Sequence, residues 1–330
     1  MKPVVTVLVP VFNGAGHLRE AVESVGRQTF DDWELLVVDD GSTDGSAEIA
    51  EGVGDARVRV VRLERNGGLV AALNRGLAEA GGEFVARLDA DDVCSRERLA
   101  EQVGFARGNP AVPLIGCDVG LISEGGRYAG RWRTAGSADL VKWELCFRTP
   151  FAHSSAFFRR RVIVEKFGGY RERRASEDLD LWSRVARDHP VVTLRRPLVK
   201  YRQREGSIMA EANAGEGLPD VRETLRENIR SAVPGLASES ADVIAGAWSG
   251  RWPEDWSEYF EAVAECRRGF LRGRSGVPGL ARVMADQNYT LWCRVRAAGK
   301  AAGFLTELRR RAGREFFRMP WLRMGASLVK

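Results

Sequence analysis

The chain has 330 residues, 44% apolar and 29% charged, with 50 Lys and Arg against 45 Asp and Glu; this is ordinary globular composition and enough length for two domains. Cys94, Cys117, Cys146, Cys266 and Cys293 show no CxxC spacing, and His17, His153 and His189 are not paired at helical spacing, which argues against a disulfide framework and a structural zinc site. No apolar run approaches the ~18 residues of a membrane span, and the whole excess of +5 lies in residues 216–330, which carry 19 basic and 14 acidic side chains.

Residues 4–11 are a continuous apolar run, the pattern of a strand covered on both faces. Leu18, Ala21, Val22 and Val25 then repeat at helical spacing. A second buried strand over residues 33–38 ends in Asp39-Asp40-Gly41-Ser42, and a helix over about 46–51 follows. Val58, Val60 and Leu63 mark a third strand. Leu69, Ala72, Leu73 and Leu77 give a helical stripe stopped by Gly81-Gly82. The strand over residues 84–88 runs straight into Asp89, Asp91 and Asp92, and a helix is expected near 96–106. This alternation predicts an α/β fold whose sheet is mostly parallel, with helices on both faces.

After Asn109-Pro110 the signals mix. A strand is expected over 112–117, a Gly-rich hairpin or loop over 120–130, a helix capped by Ser137, and a short strand over 155–158. A helix starts near Ser176, and an edge or cover strand spans 191–194. Beyond Gly215 the strand signal fades. Pro253 sits at a plausible first helical position, and Trp256, Tyr259, Phe260, Val263 and Phe270 line one face of a helix as core. Two domains are expected, residues 1–215 and a mainly helical, basic appendage over 216–330.

Three acidic clusters punctuate the first 180 residues. Asp89, Asp91 and Asp92 repel one another at the end of a strand, where open α/β sheets place their ligands; a hard divalent cation and a capping turn both fit. Asp39, beside an apolar strand, suits a base N–H or a ribose hydroxyl. Glu177 and Asp178 open a helix, where an acid is favourable anyway and where one of them could act as a general base. Asn66-Gly67-Gly68 leaves room for close backbone approach to a ligand. No P-loop, strand-linked Gly-x-Gly-x-x-Gly or Gly-x-Ser-x-Gly elbow occurs.

These clusters, in this order, resemble the family 2 inverting glycosyltransferases of GT-A fold. The matching stretches are Val9-Pro10-Val11-Phe12-Asn13-Gly14, Val37-Val38-Asp39-Asp40-Gly41-Ser42-Thr43-Asp44, Asn66-Gly67-Gly68 through Asn74-Arg75-Gly76, and Arg87-Leu88-Asp89-Ala90-Asp91-Asp92. Thr149-Pro150-Phe151-Ala152-His153 and Ser176-Glu177-Asp178-Leu179-Asp180-Leu181-Trp182 complete a resemblance covering about residues 4–207.

The resemblance implies a nucleotide-sugar site, most simply for a UDP-sugar. Pro10, Phe12 and Asp39 would hold base and ribose, and Asn66 and Asn74 the ribose and phosphate side. Asp89 would face the ribose or sugar and Asp91 a Mn²⁺ or Mg²⁺ ion, with Asp92 at the helix-side turn. Asp178 matches the catalytic base, with Glu177 and His153 in supporting or acceptor-side positions, although His153 also reads as a hydrogen-bonded core histidine. In Tyr201-Arg202-Gln203-Arg204-Glu205-Gly206-Ser207, Arg204 stands where the family often has histidine; arginine cannot ligate a metal but grips phosphate.

The activity implied is transfer of a hexosyl or N-acetylhexosaminyl group to a glycan or glycolipid hydroxyl in cell-surface polysaccharide synthesis, in a cytoplasmic protein. A nucleotidyltransferase and a non-catalytic sugar-nucleotide-binding subunit are the alternatives. The C-terminal Arg309-Arg310-Arg311-Ala312-Gly313-Arg314 run, with Phe316, Phe317, Trp321 and Leu322, suits an anionic membrane surface or a solvated helix face; nucleic acid is not an expected partner.

Overall fold

The computed structural model describes residues 2–173, 176–204, 218–274, 276–297, 299 and 301–312. The chain divides into two compact units, residues 1–141 with 149–207, and residues 142–148 with 208–330. The boundary expected near residue 215 lies outside the described residues.

The first unit is built on a nine-stranded sheet in the order β3-β2-β1-β4-β8-β6-β9-β5, with β7 paired to β6. Strands β1 (Val5–Val11), β2 (Trp33–Asp39), β3 (Val58–Arg62) and β4 (Phe84–Arg87) are mutually parallel, joined by α1 (Ala15–Gly26), α2 (Ser46–Glu51) and α3 (Leu69–Glu79). Every residue of β1 is buried, as its unbroken apolar pattern requires. Gly76 of α3 lets the helix approach this strand: a Cβ there would lie 2.2 Å from Leu8 Cδ1. The parallel register carries the ends of β1, β2 and β4 to one edge, so the segments after Val11, Asp39 and Arg87 are neighbours.

Beyond β4 the sheet turns mixed. β8 (Phe157–Arg159) lies antiparallel between β4 and β6 (Leu114–Ile122), and β6 forms the expected hairpin with β7 (Tyr128–Trp132). The α4 helix (Arg98–Gly108) and α5 (Ala138–Glu144) lie near their expected positions, and His153–Ser155 forms a 3₁₀ turn before β8.

The last strand departs from expectation. β9 runs from Val191 to Arg202, twelve residues rather than four, and is no edge: it pairs parallel with β6 on one side and antiparallel with β5 (Val93–Cys94) on the other. Arg195-Arg196-Pro197 looks like a strand end in the sequence because proline donates no ladder hydrogen bond. The sheet absorbs it as an irregularity instead: Leu194 pairs with Cys117, Pro197 with Asp118 and Val199 with Val119, so Arg195, Arg196 and Leu198 are passed over before the regular ladder resumes. That continuation brings Tyr201 to Arg204 toward the acidic strand end.

The second unit is helical among the described residues: α7 (Pro219–Ala232), α8 (Ser238–Trp248), α9 (Trp256–Leu271), α10 (Leu280–Ala297) and α11 (Ala301–Ala312). Residues 142–148 join it because Trp143 and Phe147 pack on Phe270 and Trp248, with ring centroids 5.1 and 5.9 Å apart. Trp143 Nε1 donates to Gln287 Oε1 at 3.1 Å. The aromatic strip of α9 is core, with Trp256, Tyr259 and Phe270 buried. Pro253 lies before this helix rather than in its first turn, and Asp255 caps it by accepting from Ser257 N at 2.8 Å. No described helix is long and apolar enough to cross a membrane. Of the basic C-terminal run, Arg310 and Arg311 both pair with Glu307, and residues 313–330 lie outside the described residues.

Candidate active site

Three strand ends supply the site. After β1 the chain turns at Asn13, whose φ of 50° is left-handed, a conformation that asparagine tolerates better than most residues. The turn is tied to the segment after β2. Asn13 N donates to Ser42 Oγ, Asn13 Oδ1 accepts from Thr43 N, and Asp44 Oδ2 accepts from Ala15 N, each at 2.9 Å. Phe12, thus fixed in backbone, is 49% exposed, an unusual placement for a large apolar residue beside a buried strand. Pro10 and Asp39 are buried at the ends of their strands, and Asp39 Oδ1 accepts from Ser42 N. Asp40 grips the next turn bidentately: its two oxygens accept from Gly67 N and Gly68 N at 2.8 Å each. Gly68 has a φ of 89°, which favours glycine, and Asn66 Oδ1 also accepts from its N–H. Pro10, Phe12, Asp39 and Asn66 therefore surround one set of interlaced turns.

Asn74 is placed differently. Its amide oxygen accepts from Tyr170 N and its amide nitrogen donates to Tyr170 O, both at 2.9 Å, so it anchors the segment after the Gly168-Gly169 turn. Both polar atoms of the Asn74 side chain are thereby engaged.

The second group is the acidic strand end. One oxygen from each of Asp89, Asp91 and Asp92 lies within 4.8 Å of the others. Asp89 is paired to Arg87, a fully buried arginine at the end of β4, and Ser154 joins them: its Oγ accepts from Arg87 Nη1 and Asp89 N and donates to Asp89 Oδ2. Burial works against ionised Asp89, but Arg87 outweighs it and holds the carboxyl below its usual range. Asp92 is more than a helix-side turn. It is 1% exposed, and its Oδ1 accepts from Arg202 N of β9 at 2.7 Å. The Arg202 guanidinium then closes over the cluster, donating to Asp91 O, Glu124 O and Glu20 Oε2 at 2.8, 2.7 and 2.6 Å. Arg204 Nε stands 2.9 Å from Asp91 Oδ2.

These cations do not quiet the cluster. Burial first, and then Asp89, push Asp91 above the ordinary carboxylate range despite Arg204. Burial, Asp89 and Asp91 push Asp92 far above it. Asp92 Oδ2 is buried without a hydrogen-bond partner. An orphaned carboxylate oxygen beside two further acids is what a hard divalent cation requires of protein oxygen ligands, so the residues fit the metal that the sequence suggested.

The third group lies at the start of α6 (Glu177–Asp188). Asp178 Oδ1 accepts from Leu179 N at 2.6 Å. Burial, reinforced by Glu177, pushes the Asp178 carboxyl up to about 7, against the opposing pull of the Leu179 N–H and Arg87. Glu177 is held below its usual range: burial would raise it, but His153, whose Nδ1 lies 3.5 Å from Glu177 Oε1, outweighs burial. His153 Nε2 meets Tyr170 OH at 2.9 Å, and burial and Arg87 lower the affinity of the ring for a second proton. Two acids adjacent in sequence are thus driven apart, Glu177 ionised and Asp178 poised near neutrality, a pattern that marks acid–base sites.

The structure gathers Asp89, Asp91, Asp92 and Arg204 into one cluster and Glu177, Asp178 and His153 into another. Arg87 acts electrostatically on both. Arg87, Ser154, Tyr170 and Arg202 escaped the sequence reading. A charged residue inside the run Phe84-Val85-Ala86-Arg87-Leu88 was the available signal for the first of them, since buried arginines need partners. The others are recognisable only once long-range pairing is known.

Residues 6–168 match the family model described as Glycosyl transferase family 2. The chain is 31% identical over 215 residues to the amylovoran biosynthesis glycosyltransferase AmsE of Erwinia amylovora, covering 64% of this chain and 79% of that one. In three dimensions it is similar to Staphylococcus aureus TarS 1–349, solved in complex with UDP-GlcNAc, with a TM-score of 0.58, 20% identity, and coverage of 95% and 92% of the two chains. The mannosyltransferase PcManGT from Pyrobaculum calidifontis, solved with GDP-Man and Mn²⁺, gives a TM-score of 0.54 at 20% identity, with 92% and 86% covered. The sheet is that of the GT-A fold.

Proposed function

The chain belongs to glycosyltransferase family 2, and on that premise we propose that it moves a sugar from a nucleotide-sugar, a UDP-sugar, to a hydroxyl of a glycan or lipid-linked glycan with inversion at the anomeric carbon. The acceptor class follows the polysaccharide role in the name of AmsE, and the nucleotide follows the UDP-GlcNAc bound by TarS. The observation that carries the chemistry is the pairing of a carboxyl poised at about 7, Asp178, with an under-neutralised acidic strand end acting in the same buried electrostatic network.

In this reading Phe12 offers an exposed ring face to the base, and Asp39 an acceptor for its N–H. Asp91 and Asp92 would hold a Mn²⁺ or Mg²⁺ ion, which when bound would supply Lewis-acid stabilisation to the departing diphosphate. Asp89, oriented by Arg87 and Ser154, faces the sugar or ribose. Asp178 takes the proton of the acceptor hydroxyl as its oxygen attacks the anomeric carbon from the face opposite the diphosphate. One such displacement inverts the centre and needs no enzyme nucleophile. Glu177 stays ionised and keeps Asp178 basic enough to act near neutral pH. The domain division at residue 215, the hexosyl or N-acetylhexosaminyl nature of the group, and peripheral membrane contact through the C-terminal basic run belong to the same proposal.

A screen of UDP- and GDP-sugars for Mn²⁺-dependent donor hydrolysis, and for transfer to a glycan panel, tests it. Turnover of at least one donor with an inverted product is expected. Retention of configuration, or formation of nucleotide-sugar from sugar-1-phosphate and UTP, would overturn it.

A further inference from the structure

Arg204 and any cation at the acidic strand end need the same carboxylate. Its Nε lies 2.9 Å from Asp91 Oδ2, and Asp91 is its one partner among the described residues. The pair is accessible, with 43% of the Arg204 side chain and 24% of that of Asp91 exposed; Asp89, 30% exposed, is already held by Arg87, and Asp92 is shut in beneath Arg202. Arg204 follows Arg202 by two residues, beyond the last rungs of the ladders to β6 and β5. A guanidinium so placed neutralises an exposed acid without ligating anything. A divalent ion at Asp91 would both repel it and displace it.

We propose that Arg204 is a resident counter-ion that competes with the divalent cation for Asp91 and, once released by it, grips the diphosphate of the donor. The inference rests on reading the site as a nucleotide-sugar site, and it adds a coupling of changing sign. Without nucleotide, Arg204 opposes the cation, because both positive charges need one carboxylate. With nucleotide, Arg204 and the cation support each other, because the diphosphate offers oxygens to both and the planar fork of arginine suits them. By linkage, each effect must appear in the affinity of either ligand.

The test is calorimetric and independent of turnover. Mn²⁺ is titrated into the wild-type chain, R204A and R204Q, first alone and then with saturating UDP, and UDP is titrated at saturating Mn²⁺; GDP replaces UDP if it is the nucleotide bound. Without nucleotide, both variants should bind Mn²⁺ more tightly, by up to about five-fold, the upper end of the range for one exposed ion pair removed. At saturating Mn²⁺ both should bind the nucleotide about ten-fold more weakly, the loss of one charge-assisted contact to phosphate. Unchanged or weaker Mn²⁺ affinity in both variants overturns the competition, and unchanged nucleotide affinity overturns the grip. A wild-type chain that binds neither nucleotide removes the proposed function and this inference with it. Normal cation-dependent nucleotide binding, unaltered in R204A and R204Q, overturns this inference alone.

Discussion

Asn74 and Tyr170 exchange two hydrogen bonds of 2.9 Å, the side-chain amide of one to the backbone N–H and C=O of the other. The exchange mimics one rung of a β-ladder. It holds Tyr170 where its hydroxyl meets His153, which in turn faces Glu177. N74A should therefore act at a distance. It should lower stability by about 1–3 kcal/mol, the usual result of two lost hydrogen bonds in a partly buried setting. It should also lower kcat through a loosened His153–Glu177 pair. Thermal melts and faster amide exchange at Tyr170 check this, and unchanged exchange there would sink the clamp.

Asp178 carries the sharpest pH prediction. As a base it works only when ionised, so kcat/KM should fall about tenfold per unit as pH drops below the vicinity of 7, the value to which burial and Glu177 push its carboxyl. Stability runs the other way. The folded-state value lies above the unfolded one, about 3.9, so the folded chain binds the proton more tightly. That contribution is complete below the unfolded value and is lost as pH rises through about 7. D178N should reduce turnover by ~10²–10⁴, retain UDP binding, and flatten stability between those two pH values. Wild-type turnover in D178N would remove the base assignment.

Asp92 should show opposite effects on fold and ligand. Its Oδ2 is buried and unpartnered, and two acids stand beside it. D92N keeps an acceptor for Arg202 N while removing a crowded negative charge. The cation-free protein should melt at a higher temperature than wild type, and Mn²⁺ affinity should fall by roughly tenfold or more, the scale of a lost ligand or its support. Equal Mn²⁺ affinity in the two proteins would take Asp92 out of the metal site.

Arg87 is the buried hub. R87M leaves the partly buried Asp89 without its charge partner, a change that should destabilise by about 1–3 kcal/mol, less than breaking a fully buried pair because 30% of the Asp89 side chain meets solvent. R87M/D89N removes both charges and should recover much of the loss, since replacing a whole buried pair is far milder than breaking it. Urea unfolding of the two variants decides; a double variant no more stable than R87M would contradict the pairing.

Chelation by EDTA should suppress turnover and restoration of Mn²⁺ or Mg²⁺ should return it, as expected where a cation balances charge on a departing diphosphate. Full activity in EDTA would end the metal assignment.

The parallel half of the sheet was legible because β1 and β2 are self-contained apolar runs and α1 and α3 carry their own stripes. β9 was not, because Arg195, Arg196 and Pro197 obey local rules for ending a strand while the partner strand β6 shifts register to accommodate them. The same divide runs through the site. Asp39, Asp89, Asp91 and Asp178 are visible as acids at strand and helix ends. The groups that orient them, Ser154 on Asp89 and Arg202 on Asp92, sit 65 and 110 residues away, and no local pattern announces them. Arg87 lay in plain view, but its importance follows from total burial, which an alternating pattern alone does not establish.

The 110-residue span between Asp92 and Arg202 also sets an order of assembly. Asp89 finds its cation two residues upstream, so a growing chain can satisfy it early. Asp91 and Asp92 have no such local counterpart, and their arginines arrive only with the final strand of the sheet. During synthesis the acidic strand end is therefore the last part of this unit to be balanced, and a chain stopped before β9 would expose a patch of unrelieved like charge. Closing the sheet and making the site electrostatically tolerable are a single event.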